Sequence, residues 1–242
     1  MKSIEITIPV LNEEDTLELQ VKKVLDYFSA LPQHEYDLCL VIADNGSTDE
    51  TRTIASKLVE SNVDRVRLVE IEQRGVGLAL QASWNTSQAD IVGYMDLDLA
   101  TDIEHVKDVM DLYSNNDVDI VYGSRLHNES VVVGRTIKRE ITSRAFNFLL
   151  KTYLSSNFSD GMCGFKFFKR QHIDSLMTNG ASSGGWFFCT ETLVVAEKLN
   201  LNVIELPVKW TDDENSKVKI LSLSLEYLKA MRRLKSCLKK SV

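Results

Sequence analysis

Ile91-Val92-Gly93-Tyr94-Met95-Asp96-Leu97-Asp98-Leu99-Ala100-Thr101 is an apolar run that ends abruptly in two aspartates one residue apart. Five consecutive apolar or small residues are too few for a buried helix and suit a strand covered on both faces. Working outward, comparable β-rich runs occur at Ser3–Pro9, Asp37–Ala43, Val66–Ile71 and Ile120–Gly123, with helical patterns filling most of the gaps. Such alternation predicts an α/β chain: a single Rossmann-like, mostly parallel sheet with helices on both faces. Capping boxes at Ser47-x-x-Glu50 and Thr101-x-x-Glu104 mark two helix starts directly after acidic strand ends. Those strand ends should open on one rim, the carboxyl rim, where ligands of open α/β sheets sit.

After about residue 135 the pattern changes. A long helix is expected over Lys138–Leu154, a β-like segment over Gly164–Phe168, a helix near Glu191–Leu199 and a strand over Val203–Val208. With 242 residues the chain fits one domain. Its expected division is 1–125 as a ligand-binding half, 126–218 as a second half, and 219–242 as a basic amphipathic helix.

The net charge of -7 argues against nucleic acid as a partner, because phosphate contacts need a basic surface. From Lys217 onward, however, eight basic residues face a single acid, Glu226. Leu221, Leu225, Leu228, Met231, Leu234 and Leu238 form one helical stripe there, which either lies on an anionic bilayer or packs on the domain. No apolar run approaches the ~20 residues that span a bilayer, so membrane contact is expected to be peripheral or through a partner. Four widely spaced cysteines without a metal-binding pattern suit a reducing, cytosolic setting.

Asp96 and Asp98 carry the sharpest chemical signal. Alternation along a strand would place both carboxylates on one side, with Cα atoms about 6–7 Å apart, able to share a hard cation such as Mg²⁺ or Mn²⁺. The bland alternative is a strand end followed by a helix cap. A second signal is Asp44-Asn45-Gly46-Ser47-Thr48-Asp49, where Asp44 can accept from a base or ribose and Asn45-Gly46 permits a tight turn. A third is Pro9-Val10-Leu11-Asn12-Glu13-Glu14 at the end of the first strand. In Arg74-Gly75-Val76-Gly77 the glycines would allow close backbone approach, and the helix that follows offers its N-terminus to phosphate.

Taken together, the order Ile8-Pro9-Val10-Leu11-Asn12-Glu13-Glu14, Asp44-to-Asp49, Arg74-Gly75-x-Gly77, Asp96-x-Asp98 and Gly123-Ser124-Arg125 resembles glycosyltransferase family 2. More narrowly it is similar to the dolichyl- and polyprenyl-phosphate mannosyl- and glucosyltransferases. The resemblance continues through Arg139-x-x-x-Ser143-Arg144, Asp160-Gly-Met-Cys-Gly164-Phe-Lys166 and Glu205-Leu-Pro-Val-x-Trp210, and Ser216-Lys217 looks like a late Ser-Lys pair of that family.

The resemblance implies a GT-A fold and an inverting, metal-dependent transfer from a UDP- or GDP-sugar donor to a polyprenyl or dolichyl phosphate. Pro9, Asn12, Glu13, Asp44, Gly46, Arg74, Gly75, Gly77 and Asp96 fall on the donor side, and Asp96 and Asp98 at the Mg²⁺ or Mn²⁺ site. Arg125, Arg139, Ser143 and Arg144 fall at acceptor phosphate. Ala100 departs from the family's usual Gln, and Asp212-Asp213-Glu214 from a basic closing loop. A phosphate monoester is already anionic and needs cations and positioning rather than a base, and Arg125, Arg135, Arg139 and Arg144 could supply those cations, the bland alternative being a solvated helix face. Were the acceptor a hydroxyl, Asp160 or Glu191 would be the candidate catalytic bases, alongside Asp98 and Arg125. A non-catalytic nucleotide-sugar-binding subunit is the remaining alternative. An anionic membrane surface or a small membrane protein, on the cytoplasmic face, is the expected further partner.

Overall fold

The computed structural model describes residues 2–31, 36–212 and 220–239, with side chains from 226 onward in the last segment. The described residues form nine strands and eight α-helices, which alternate as far as β5: β1 (Lys2–Val10), α1 (Leu17–Ala30), β2 (Tyr36–Asn45), α2 (Thr51–Ser61), β3 (Val66–Ile71), α3 (Val76–Thr86), β4 (Ile91–Met95), α4 (His105–Asn115) and β5 (Ile120–Ser124). There follow β6 (Val131–Val133), α5 (Ile137–Leu154), β7 (Phe165–Lys169), α6 (Ile173–Thr178), α7 (Phe188–Lys198), β8 (Val203–Pro207), β9 (Lys209–Thr211) and α8 (Ile220–Leu238).

Seven strands form one sheet in the order β3-β2-β1-β4-β7-β5-β8, and β6 pairs with β9 in a small second sheet. Within the large sheet only β7 runs antiparallel, between β4 and β5. The mostly parallel α/β sheet is therefore as expected from the apolar runs. The inverted strand lay in the Gly164–Phe168 stretch, whose direction no local pattern specifies.

Alternation divides each inner strand between two cores. Ile4, Ile6 and Ile8 of β1 pack with Leu17, Val21 and Phe28 of α1 on one face. On the other, Val92 and Tyr94 of β4 meet Trp84 of α3 and Phe188 of α7. Gly93 is required in β4 because a β-carbon there would overlap the Phe167 ring on the neighbouring strand.

Neither expected capping box forms. The Ser47 hydroxyl instead accepts from the Asn12 amide at 3.0 Å, while α2 begins only at Thr51. Asp102 rather than Thr101 accepts from the Glu104 amide, at 3.2 Å.

Of the described stripe residues, Met231, Leu234 and Leu238 pack on the domain while Leu228 is exposed. Tyr227, Met231 and Leu234 are buried in the second core, and Leu238 packs against it. Lys235 donates to the Tyr153 carbonyl at 2.8 Å, and Arg233 pairs with buried Glu191. The side chains of Leu221 and Leu225, and the residues Asp213, Glu214, Ser216 and Lys217, lie outside the described residues. Among those described, no helix is long and apolar enough to cross a membrane.

Candidate active site

Parallel register brings the sequence-expected residues to one rim. Val10 stands opposite Asp44 across β1 and β2, and Thr7 opposite Tyr94 across β1 and β4, so the loops after Val10, Asp44 and Met95 leave side by side. The first two loops are fastened together. The Thr48 amide donates to Asn12 Oδ1 at 2.8 Å, the Glu13 amide to Thr51 Oγ1 at 2.8 Å, and the Glu50 amide to Glu14 Oε2 at 2.9 Å. Asn12 adopts a left-handed φ of 54° to make this turn, and Gly46 one of 77°. Asp44 is buried, and its carboxylate accepts from Arg52 Nε at 2.6 Å and from the Ser47 amide. It organises the turn first and offers a ligand only its remaining lone pairs.

Gly75 and Gly77 permit a close approach, but of protein rather than phosphate. A β-carbon on Gly75 would overlap the Gly184 carbonyl, and one on Gly77 that of Ser183. The Leu78 amide, at the opening of α3, already donates to Gly184 O at 3.1 Å. The expected phosphate pocket at this helix start is therefore filled by the 183–185 loop. Arg74 is exposed at its edge.

Asp96 and Asp98 meet by a turn rather than by strand alternation. β4 ends at Met95, and the Leu99 amide folds back to Asp96 O at 3.2 Å, with Leu99 at φ 53°. Asp98 is exposed and accepts from the Ala100 amide at 3.0 Å. Asp96 Oδ1 is buried without a hydrogen-bond partner among the described residues. Burial, followed by the Asp98 charge, pushes the Asp96 carboxyl up to about 7 against the opposing pull of Arg125 and Lys166. A carboxyl whose ionisation is disfavoured by burial and by a neighbouring carboxylate, with an unmatched buried oxygen, suits a hard divalent cation. Among the described residues no group of three or more His, Cys, Asp or Glu is arranged around a metal. Two carboxylates match Mg²⁺ or Mn²⁺ only where phosphate oxygens complete the shell.

Beyond Asp96 lies a cationic wall. Arg125 grips buried Asp160 through Nε at 2.7 Å and Nη2 at 3.0 Å, and its amide adds a third bond. Burial by itself would raise the Asp160 carboxyl, but the Arg125 charge and hydrogen bonds hold it down at about 2. Asp160 is thus a permanent anion clamped to a guanidinium, not a general base. Glu191 is no base either: it is buried, and it receives the Ser182 amide at 2.9 Å, the Ser183 amide at 2.8 Å, the Ser183 hydroxyl and Arg233.

Arg139 donates to Asp212, and Arg144, largely exposed, to Glu140. Ser143, one turn beyond Arg139, has a buried hydroxyl without a hydrogen-bond partner among the described residues. Arg144 reaches the others only through Glu140, whose second oxygen lies 3.0 Å from Arg135.

Two groups that sequence reasoning did not single out complete the wall. The Trp210 ring lies 5.4 Å from the Arg125 guanidinium and 5.9 Å from that of Arg135. Its strand β9 ties the acidic turn to this wall, since the Thr211 amide donates to Ala100 O at 2.8 Å and the Asp102 amide to Lys209 O at 3.0 Å. Lys166 is fully buried, with its ammonium on Cys163 O and on Tyr94 Oη at 3.3 Å. Both residues occurred in family-like stretches, but no local periodicity marks either one.

Comparison with known proteins gives a consistent picture. The family described as Glycosyl transferase family 2 matches residues 5–177. Glycosyltransferase AglD of Haloferax volcanii is 32% identical over 90% of this chain, which spans only 34% of that protein. A dolichyl-phosphate beta-glucosyltransferase of Dictyostelium discoideum is 27% identical, over 96% of this chain and 73% of its own length. Among solved structures, a glucosyl-3-phosphoglycerate synthase from Mycobacterium tuberculosis, in complex with Mn²⁺, uridine-diphosphate and phosphoglyceric acid, superposes with a TM-score of 0.69. It shares 20% identity and is covered over 78% of its length by 98% of this chain. That likeness shows the fold, which is GT-A.

Proposed function

The chain belongs to glycosyltransferase family 2, and from that premise we propose that it moves a hexose from a nucleotide-sugar, UDP- or GDP-linked, to a polyprenyl or dolichyl phosphate, with inversion at the anomeric carbon. The observation that carries this reading is the distribution of charge. The two carboxylates that might have served a hydroxyl acceptor as bases, Asp160 and Glu191, are locked in ion pairs, while Arg125, Arg135 and Arg139 gather beside the acidic turn. A phosphate monoester needs no base to become nucleophilic; it needs cations that orient it. The dolichyl-phosphate beta-glucosyltransferases among the relatives support the same acceptor class.

Asp96 and Asp98 would hold Mg²⁺ or Mn²⁺, which supplies Lewis-acid neutralisation of the departing diphosphate. The protein's own contribution is positional. The zipped loops at Asn12–Glu14 and Asp44–Thr51 form the floor for the nucleoside, and Asp160 fixes the Arg125 fork at the border between donor and acceptor. The intact Asp96/Asp98 pair disfavours a purely binding subunit.

The acceptor reading also gives a role to α5. Ile137, Ile141, Phe148 and Leu149 are exposed on this helix, beside Lys138, Arg144 and Lys151, and Val131 and Val133 are exposed on β6. An apolar row flanked by cations suits the interface of an anionic bilayer, the cytoplasmic face of a membrane in the proposed setting. This replaces the C-terminal helix, on which Tyr227, Met231, Leu234 and Leu238 face the core and Leu228 alone of the described stripe is exposed.

The test is to incubate the purified protein with Mn²⁺ or Mg²⁺, a panel of UDP- and GDP-sugars and a short polyprenyl phosphate. Lipid-stimulated release of nucleoside diphosphate with a glycosylated lipid product is the expected result. Turnover only with hydroxyl acceptors, or none, would overturn it.

A further inference from the structure

The three arginines beside the acidic turn are not equally able to take an anion. Arg125 is closed by two side-chain bonds to Asp160, and Arg139 by its pair with Asp212, so each of those units is neutral. Arg135 and Arg144 share the single carboxylate of Glu140, which leaves one positive charge in excess. Of that pair only Arg135 is inside: its side chain is 8% exposed against 62% for Arg144. Arg135 Nη1 lies 3.0 Å from Glu140 Oε2 yet makes no hydrogen bond to it, so among the described residues it is a buried donor without an acceptor. Burial, and then the neighbouring Arg125 charge, depress its affinity for the proton against the opposing pull of Glu140, Asp160 and Asp212. The Trp210 ring lies against Arg125 and Arg135 together, which keeps both at the same border.

We infer that Arg135 is a further acceptor-binding residue, which takes the second negative charge of a phosphate monoester through Nη1 while Trp210 holds its guanidinium beside that of Arg125. This rests on the reading that the acceptor is a lipid phosphate. An unsatisfied buried donor raises the free energy of the empty site, and an incoming phosphate oxygen removes that cost. Near neutral pH a monoester carries between one and two charges, so a site with one surplus cation distinguishes it from a hydroxyl or a diester.

The experiment uses the full chain and vesicles carrying polyprenyl phosphate, with initial rates over a matrix of lipid and donor concentrations for wild type, Arg135→Gln, Arg135→Lys and Glu140→Gln. Melting temperature and nucleoside diphosphate binding report that each variant is folded. Arg135→Gln should raise the KM for the lipid phosphate by about tenfold or more, the scale of one hydrogen bond to a charged group, with donor KM within about twofold. Arg135→Lys should recover part of that loss. Glu140→Gln should lower the lipid KM, because it removes the negative charge that partly neutralises the Arg135 guanidinium, whereas a merely structural Arg135–Glu140 contact would make both changes harmful. If wild type transfers to the lipid phosphate but Arg135→Gln leaves its KM unchanged, or Glu140→Gln raises it, the assignment is wrong and the acceptor reading stands. Failure of wild type to use any phosphate acceptor would remove both.

Discussion

Asp96 rests directly on Gly164: any β-carbon at position 164 would overlap its carboxylate. The antiparallel strand β7 thus begins at the one point where the acidic turn needs an absent side chain. Gly164→Ala should reduce sugar transfer by about 100-fold or more, since displacing a group in a site by 1 Å can cost that much. The melting temperature should change little. Calorimetric titration with Mn²⁺ in the presence of nucleoside diphosphate should show weakened binding. Normal metal affinity and normal rates in this variant would mean that Asp96 does not act from the place it occupies.

Asp98→Asn should abolish transfer while leaving the fold intact, because Asp98 is exposed at the rim, where its Oδ1 accepts from the local Ala100 amide. Undiminished transfer would sink the metal role assigned to the acidic turn.

The Asp96 carboxyl supplies a pH dependence of definite sign. Its folded-state pKa, about 7, stands above the ordinary 3.8. The fold therefore binds this proton more tightly than the unfolded chain does. The associated stability is fully present below about pH 4 and is lost as pH rises through 7. In metal-free protein, Asp96→Asn should raise stability at pH 8 by on the order of 2–4 kcal/mol, at about 1.36 kcal/mol per pKa unit. The gain should fade towards pH 4. Denaturant melts at the two pH values provide the check, and an equal effect at both would remove the burial argument.

Glu191→Gln should retain the pH profile of transfer, because Glu191 serves as a structural anchor for the Ser182 and Ser183 amides and for Arg233 rather than as a base. Stability should fall, by about 3–5 kcal/mol if the loss of its charge leaves Arg233 uncompensated within the ion pair, and by less to the extent that Arg233 reaches water. Loss of a basic limb from the pH–rate profile would restore Glu191 to the chemistry.

For the two amphipathic helices the expectations are opposite. Leu234→Ala on α8 should cost about 2–5 kcal/mol, as for other buried leucines, since Leu234 lies in the second core. The paired change Ile141→Glu and Phe148→Glu on α5 should leave stability nearly unchanged, because both are exposed, and should release the protein from anionic liposomes. Liposome sedimentation alongside thermal melts separates the cases. Retained binding in the α5 variant would move the membrane face elsewhere.

The sequence by itself determined the parallel strands of the sheet, the sites of its carboxyl-rim loops and the place of the acidic pair, while the inverted strand β7 and the turn that joins Asp96 to Asp98 were not legible in it. Each of the legible features is written in a contiguous stretch: an apolar run long enough for one strand, an Asn-Gly turn, two aspartates where the run stops. Local chemistry suffices for them because a strand buried on both faces has few other places to lie. What only the tertiary structure decided is which charged groups remain available once the chain has closed. Asp160 finds Arg125 35 residues away, and Glu191 finds Arg233 42 residues away; each pairing turns a candidate base into a structural anion. The glycines at 75 and 77 receive the 183–185 loop instead of a phosphate, and α8 gives its apolar stripe to the core while α5 keeps part of its own at the surface. Residue type and spacing state what a side chain can do. Burial and the identity of a partner distant along the chain decide what it is left to do, and both arise only when separate elements pack together.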